Sequence, residues 1–298
     1  MAEGDKDRGG LVGRIGSTVK GLGKILLQSR RPTIERVATK DDAIIIMGNG
    51  PSLKQTIEQR GRELRETATM AVNFAANAPE FRQLRPRFYI MADPVFFERE
   101  AHENVERLWQ NFNETVDWEM TLLLPTSVRG QDFGLTNGNV NVQYFNPVGV
   151  EGVQWFEDWA YSSGLGMPRP RNVLIAAIMV ALKLGFGTIY ITGADHSWSK
   201  TLEVDDNNTV VSVQPHFYAD NNAEHQRVAS VYKDIALHQI MYSFYVAFRS
   251  YYTIRRFARR RGVRIYNATP GSFIDAFERR SIPESTRPES TPSRRAEK

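Results

Sequence analysis

The residues best suited to hold a ligand lie in the stretch 41–54, DDAIIIMGNGPSLK. Gly48-Asn49-Gly50-Pro51 follows three consecutive isoleucines, and two glycines with a proline impose a tight turn. Ser52 is placed to cap a helix starting near Leu53. A strand that empties through such a turn onto a helix start offers free backbone N–H groups to a phosphate at the carboxyl edge of a sheet. The same arrangement also serves as a plain reversal of direction. It is neither a P-loop, for no Gly-Lys-Ser/Thr follows, nor a G-x-G-x-x-G fingerprint, for Leu53 stands at the third glycine. Asn49 favours a ligand, because a carboxamide on the crest of the turn can donate to and accept from a nucleotide.

Three further polar residues fall at predicted strand ends: Asn73 closes 67–73, Asp93 closes 87–93 ahead of Pro94, and Asp195 follows 188–192 through Gly193. With Asn49 they would share one sheet edge, where ligands of parallel sheets lie. No cofactor is demanded, although Asp93 and Asp195 could hold Mg²⁺. The five histidines, His102, His196, His216, His225 and His238, form no H-E-x-x-H, and cysteine is absent, so zinc is not expected. There is no G-x-S-x-G elbow. His196 follows a strand-end aspartate, while His216 and His225 flank the end of a polar loop, 203–222, long enough to act as a lid. A loop histidine is ordinarily just exposed; beside a nucleotide it can take a hydroxyl proton at neutral pH, with His216 first choice and His225 second.

The elements that must position these groups alternate β and α. Strands are predicted at 43–47, 67–73, 87–93, 121–124, 140–144, 188–192 and 264–267. Helices are predicted after Ser52, through 96–109, over 173–184 with Gly185 as C-cap, over 224–261 as one or two helices, and over 270–277. This is an α/β pattern: a doubly wound, mostly parallel Rossmann-like sheet in a single domain, with a lid region and basic helical extensions. The 298 residues, 41% of them hydrophobic, suffice for a large core, and the lack of cysteine fits a reducing compartment. No apolar run reaches the ~20 residues of a spanning helix, and no signal-peptide h-region opens the chain.

Three segments follow: a leader 1–38, a nucleotide-binding domain 39–280 and a polar tail 281–298. In the leader, apolar residues at 11, 12, 15, 19, 22 and 26 recur at helical spacing among Arg14, Lys20, Lys24, Arg30 and Arg31. That pattern suits an anionic membrane surface, or a helix packed on its own domain. Arg255, Arg256, Arg259, Arg260, Arg261 and Arg264 form the densest positive cluster. Lipid, nucleic acid or a solvated helix end would each account for it; lipid is preferred because the aromatics precede the arginines rather than interleave with them.

IIIMGNGPSLK resembles the opening motif of the bacterial sialyltransferases of the Campylobacter type, which use CMP-sialic acid. The similarity continues in Asn73, in Asp93-Pro94 with Phe96-Phe97-Glu98, in LKLGFGTIYITGAD and in RIYNATPGSF. The framework is also similar to a broader family that includes motility-associated flagellin glycosylation proteins and archaeal hydroxymethylpterin diphosphokinases. The resemblance implies that Asn49 and Asn73 contact a cytidine nucleotide, with Gly48, Gly50, Pro51, Ser52, Asp93, Asn172, Gly193 and Asp195 completing its site. Arg169 and Arg171 match a basic patch only loosely, and His196 and Ser197 fall on the donor-phosphate side. The family's catalytic histidine aligns with Asp220 or, allowing an insertion, His225.

The expected activity is an inverting transfer of a sugar from a CMP-type donor to a surface glycan or lipid-linked acceptor. The rivals are an ATP/Mg²⁺ diphosphokinase and a non-catalytic glycan-assembly scaffold. Expected partners are the nucleotide-sugar, the acceptor and an anionic membrane surface, with homo-oligomerisation allowed and nucleic acid not expected. The expected location is cytoplasmic, with room for peripheral contact at the inner membrane face.

Overall fold

Ile44, Ile45 and Ile46 carry no exposed surface, and the strand they form, β1 (Ala43–Met47), lies inside an eight-stranded sheet. The computed structural model describes residues 10–98, 102–212 and 235–284. Beside β1 run β2 (Ala68–Val72), β3 (Phe88–Ile90), β4 (Met120–Pro125) and β5 (Val140–Phe145) in that order. On its other side lie β6 (Thr188–Thr192), then, after the small hairpin strands β7 (Leu202–Val204) and β8 (Val210–Ser212), β9 (Arg264–Asn267) and β10 (Glu278–Arg279). All pairings of the large sheet are parallel. The chain steps outward from β1 to β5 and then returns to β6 at β1's other edge. The order therefore reverses between β1 and β6, the kind of place where a crevice opens beyond the strands' carboxyl ends.

Alternation along each strand feeds two cores. Ile44, Ile46, Met70, Val72, Ile189 and Ile191 face one; Ile45, Met47, Ala71 and Tyr190 face the other. The first core is filled by α6 (Val173–Leu184), buried over most of its length, with α5 (Gln154–Ser163) and α7 (Leu237–Arg260) beyond. The second is covered by α2 (Ser52–Glu66), α3 (Phe81–Leu84) and α4 (Glu103–Glu114). Helices on both faces of a parallel sheet make the doubly wound α/β fold that the alternation predicts. The hydrophobicity of α6, strong all round, matches its burial between layers, and Gly185 ends it at φ 104°.

Several segments differ from expectation; α3 and β10 were not anticipated. Residues 270–277 are not helical. Pro270-Gly271 turns the chain, and Asn267 Nδ2 donates to Ser272 Oγ and the Ile274 carbonyl, an alternative to helical bonding. The predicted helix through 96–109 is broken, with a 3₁₀ turn at Pro94–Phe97 initiated by Asp93, whose carboxylate accepts from Val95 N, before α4. The helix α5, not anticipated, is stopped by Gly164 at φ 75°. Of the polar loop, 202–212 forms the antiparallel β7–β8 hairpin.

The leader helix, α1 (Leu11–Gln28), packs on the domain through Thr18, Gly21 and Ile25. Ile282, in the predicted tail, is buried against the second core. Among the described residues no helix is long and apolar enough to cross a membrane.

Candidate functional site

A cleft of about 390 Å³ opens at the reversal of strand order. Gly48, Asn49, Gly50 and Pro51 reach it from β1, Asn73 from β2, Asp93 from β3, and Gly193, Asp195, His196 and Ser197 from β6; Arg171 and Asn172 reach it from the start of α6. Residues distant in sequence thus meet because parallel strands end on one edge. Two expected residues stand apart. Ser52 is not among the residues that line the cleft, and the Arg169 guanidinium pairs with Glu151 at 2.9 Å. His216, Asp220 and His225, the candidate bases, lie outside the described residues.

The glycine turn is not the open phosphate seat that its sequence suggested. Gly48 N donates to Thr192 O and Gly50 N to Gly193 O, each at 2.8 Å, and Leu53 N to Gly50 O at 3.0 Å. The Ser52 side chain does not cap α2. Instead Ser52 Oγ donates to Asp195 Oδ2 at 2.8 Å, and Ser52 N points at the same oxygen at 3.4 Å. Asp195 thereby places a carboxylate at the positive end of α2, where an anion is favoured. The glycines serve close approach: a Cβ on Gly48 would lie 2.5 Å from Gly193 O, and one on Gly50 2.0 Å from Asp195 Oδ2.

What the cleft offers instead is carboxamide. Asn49 Nδ2 donates to Val72 O at 3.1 Å, which leaves Asn49 Oδ1 buried without a donor. Asn73 Oδ1 is likewise buried and unpaired, on a residue held at φ 51°. Asn172 Oδ1 accepts from Leu174 N (3.1 Å), Ile175 N (3.3 Å) and Tyr251 Oη (3.0 Å). Those three donors fix the amide's orientation, so the buried, unpaired Asn172 Nδ2 is turned away from them, on a side chain that lines the cleft. Each buried polar atom left unsatisfied costs about 1–3 kcal/mol. Three gathered in one cleft describe a site waiting for two hydrogen-bond donors and one acceptor.

His196 holds this arrangement from behind. Its Nε2 lies 2.7 Å from Tyr251 Oη, whose proton goes to Asn172, so the imidazole donates and the chain runs His196–Tyr251–Asn172. Trp198 covers the imidazole with ring centroids 4.1 Å apart, and Phe248 and Tyr251 close the other sides. Burial there pushes the His196 pKa down from 6.5 to about 3, and the same burial raises that of the Tyr251 phenol. His196 is therefore uncharged at neutral pH and brings no positive charge to a phosphate. Among the described residues that line the cleft, Arg171 alone is cationic, beside two acidic ones, Asp93 and Asp195.

The linkage has a definite sign. The unfolded chain takes up the His196 proton near pH 6.5, the folded one only near 3. Stability is complete above about pH 6.5 and falls as pH drops through that window, on the order of 1.4 kcal/mol per pH unit from this group. Melting curves from pH 7 to 4 should show the loss, and His196→Asn, which tolerates the left-handed backbone without titrating, should flatten it. An equally steep fall in the variant would assign the acid sensitivity elsewhere.

Sequence reading missed Tyr251 and Trp198. Tyr251 lies in the aromatic run 242–252 and Trp198 stands alone among polar residues; nothing local marks the first as a neighbour of Asn172 or the second as the cover of His196.

No family model matches the chain, and no curated protein does. Among solved structures, the MAf glycosyltransferase from Magnetospirillum magneticum AMB-1 is similar, with a TM-score of 0.51 at 16% identity. The likeness covers 96% of this chain and 40% of that one, so this chain spans less than half of its length. At that identity the likeness is one of fold.

Proposed function

We propose that the chain is a nucleotide-sugar-dependent glycosyltransferase that binds a CMP-type donor in this cleft. It would pass the donor's sugar, of the nonulosonic acid class, to a surface glycan or lipid-linked acceptor. The observation that carries the reading is that Asn49, Asn73 and Asn172, each with a buried and unpaired amide atom, all line one cleft of a parallel sheet. The exocyclic amine of cytosine and the ribose hydroxyls supply donors for the two oxygens. The phosphate supplies the acceptor for Asn172 and the counter-charge for Arg171, a role the spent amides of Gly48 and Gly50 cannot fill. The fold shared with a glycosyltransferase supports the same class.

The reaction would be a direct, inverting displacement. The acceptor oxygen bonds to the anomeric carbon as that carbon's bond to the phosphate oxygen breaks. The hydroxyl proton goes to His216, Asp220 or His225. Arg171 and Asn172 would steady the departing phosphate. No metal is required in this scheme.

A second reading, an ATP/Mg²⁺ diphosphokinase, is favoured only by the presence of Asp93 and Asp195, and Asp195 is already engaged by Ser52. A thermal-shift screen with CMP, CDP, UDP, GDP and ATP, with Mg²⁺ or with EDTA, separates the two. Cytidine nucleotides should stabilise the protein by about 2.7 kcal/mol at a hundredfold excess over Kd, unaffected by EDTA and much reduced in Asn49→Ala. A response to ATP only with Mg²⁺ would favour the kinase, and no response to any nucleotide would favour a non-catalytic scaffold.

A further inference from the structure

Helix α1 is fastened to the domain through Thr18, Gly21 and Ile25 and leaves most of its large apolar residues in water. Thr18 Oγ1 accepts from Val153 N at 2.9 Å, and Lys24 Nζ donates to Gly149 O at 3.2 Å. Gly21 lies so close to Phe156 that a Cβ there would sit 2.7 Å from the ring. Beyond the helix, Arg30 N donates to Asn146 Oδ1 at 2.9 Å. The segment is thus anchored at several points along its length, and its orientation is set by packing. The ridge Leu11, Ile15, Val19, Leu22 and Leu26, spaced for one helical face, lies beside that contact and stays exposed; Val19 is 64% and Leu26 81% exposed.

The ridge does not stand alone. Phe156, the residue beneath Gly21, belongs to α5, which presents Trp155 and Trp159, one turn apart, at 69% and 45% exposure. At the next turn of α5, Lys183 and Arg261 both donate to Ser162, and Arg260 pairs with Asp158 at 2.5 Å. The leader itself carries Arg14, Lys20, Lys24, Arg30 and Arg31 and not one acidic residue from 10 to 34. An apolar patch of this extent on a soluble surface marks an interaction site.

We infer that α1 and the exposed face of α5 form a docking surface for an anionic phospholipid bilayer. The aliphatic ridge would sink into the boundary between headgroups and acyl chains, with Trp155 and Trp159 at headgroup level and the cations meeting lipid phosphates. A second copy of the chain is the poorer occupant, because two such leaders would set five cations against five with no acid between them. The inference is independent of the nucleotide reading, since none of these residues lines the cleft.

The test is co-sedimentation of the full chain with vesicles of phosphatidylcholine alone and of equal parts phosphatidylcholine and phosphatidylglycerol. The chain should partition onto the anionic vesicles at least about tenfold more strongly, the preference weakening with salt. Val19→Ser with Leu26→Ser should abolish binding. Lys20→Gln with Arg31→Gln should weaken it about thirtyfold, from roughly fivefold per cation. Brominated acyl chains should quench tryptophan emission, and Trp155→Ser with Trp159→Ser should remove most of that quenching. The proposal is overturned by equal binding to both vesicles, by no binding, or by anionic binding that ignores the ridge variant. It is overturned equally by a lipid-free dimer that the ridge variant dissolves, which would make a second copy the occupant.

Discussion

Asn172→Asp should leave the protein folded and remove its response to cytidine nucleotides. The aspartate oxygen accepts from Leu174 N, Ile175 N and Tyr251 Oη as the native Oδ1 does, so the α6 cap and the link to His196 survive. A carboxylate at a helix N-terminus is itself favourable, by about 0.3–1 kcal/mol, which offsets part of the cost of a buried unpaired oxygen, so the ligand-free melting temperature should fall only modestly. What changes is the unpaired amide nitrogen, where a buried N–H donor becomes an anionic acceptor. Losing a hydrogen bond to a charged phosphate costs about 1.5–3 kcal/mol, and like-charge repulsion adds to it, so affinity for CMP should fall on the order of a hundredfold or more. Calorimetry on the two proteins reads it directly. Unchanged CMP affinity in the variant would remove the phosphate from Asn172 and with it the proposed pose. Asn172→Ala is the less useful variant, because it deletes the cap as well, at about 1 kcal/mol.

Gly193→Ala should be the most damaging single methyl group near the site. Gly193 sits at φ 63°, and a Cβ there would lie 2.4 Å from Gly48 O and 2.9 Å from Leu53 Cβ. Left-handed backbone alone costs a non-glycine residue about 1–2 kcal/mol. The clash must in addition push the β1 turn off the β6 turn, breaking bonds such as Gly50 N to Gly193 O. A total of about 3 kcal/mol or more is expected, since overpacking a rigid contact commonly adds 1–3 kcal/mol. Gly130 offers the control: φ is 86°, yet nothing lies within 4 Å of its would-be Cβ. Gly130→Ala should therefore cost only the conformational part. Equal losses in the two variants, measured by urea denaturation, would mean that the two turns do not depend on their mutual contact.

These two predictions mark how far the sequence could be read. The triple isoleucine, the all-round apolar 173–184 and the β-branched 188–192 each announce their element, because burial on both faces leaves a local signature that no other structure needs. Polar residues at the ends of those strands could then be placed on one edge, and Asn49, Asn73, Asp93, Asn172 and Asp195 do share the cleft. The closing helix at 270–277 failed for a local reason of a different kind, since Asn267 and Ser272 satisfy that backbone with side chains.

By itself, then, the sequence determined the buried strands β1 to β6 and β9, the apolar helix α6 and which polar groups follow the strands, since periodicity and turn chemistry act over a few neighbouring residues. Tertiary structure alone decided which of those groups remain available to a ligand. Ser52 and Asp195 meet across 143 positions, His196 and Tyr251 across 55, and Tyr251 and Asn172 across 79. The glycine amides are spent because β6, rather than another strand, lies beside β1. The α1 ridge faces water because small residues make the closer contact with Phe156 and Gly152. Hydrogen-bond partners and packing faces of this kind follow from strand order and from fit between distant surfaces, and neither leaves a mark on the residues next door.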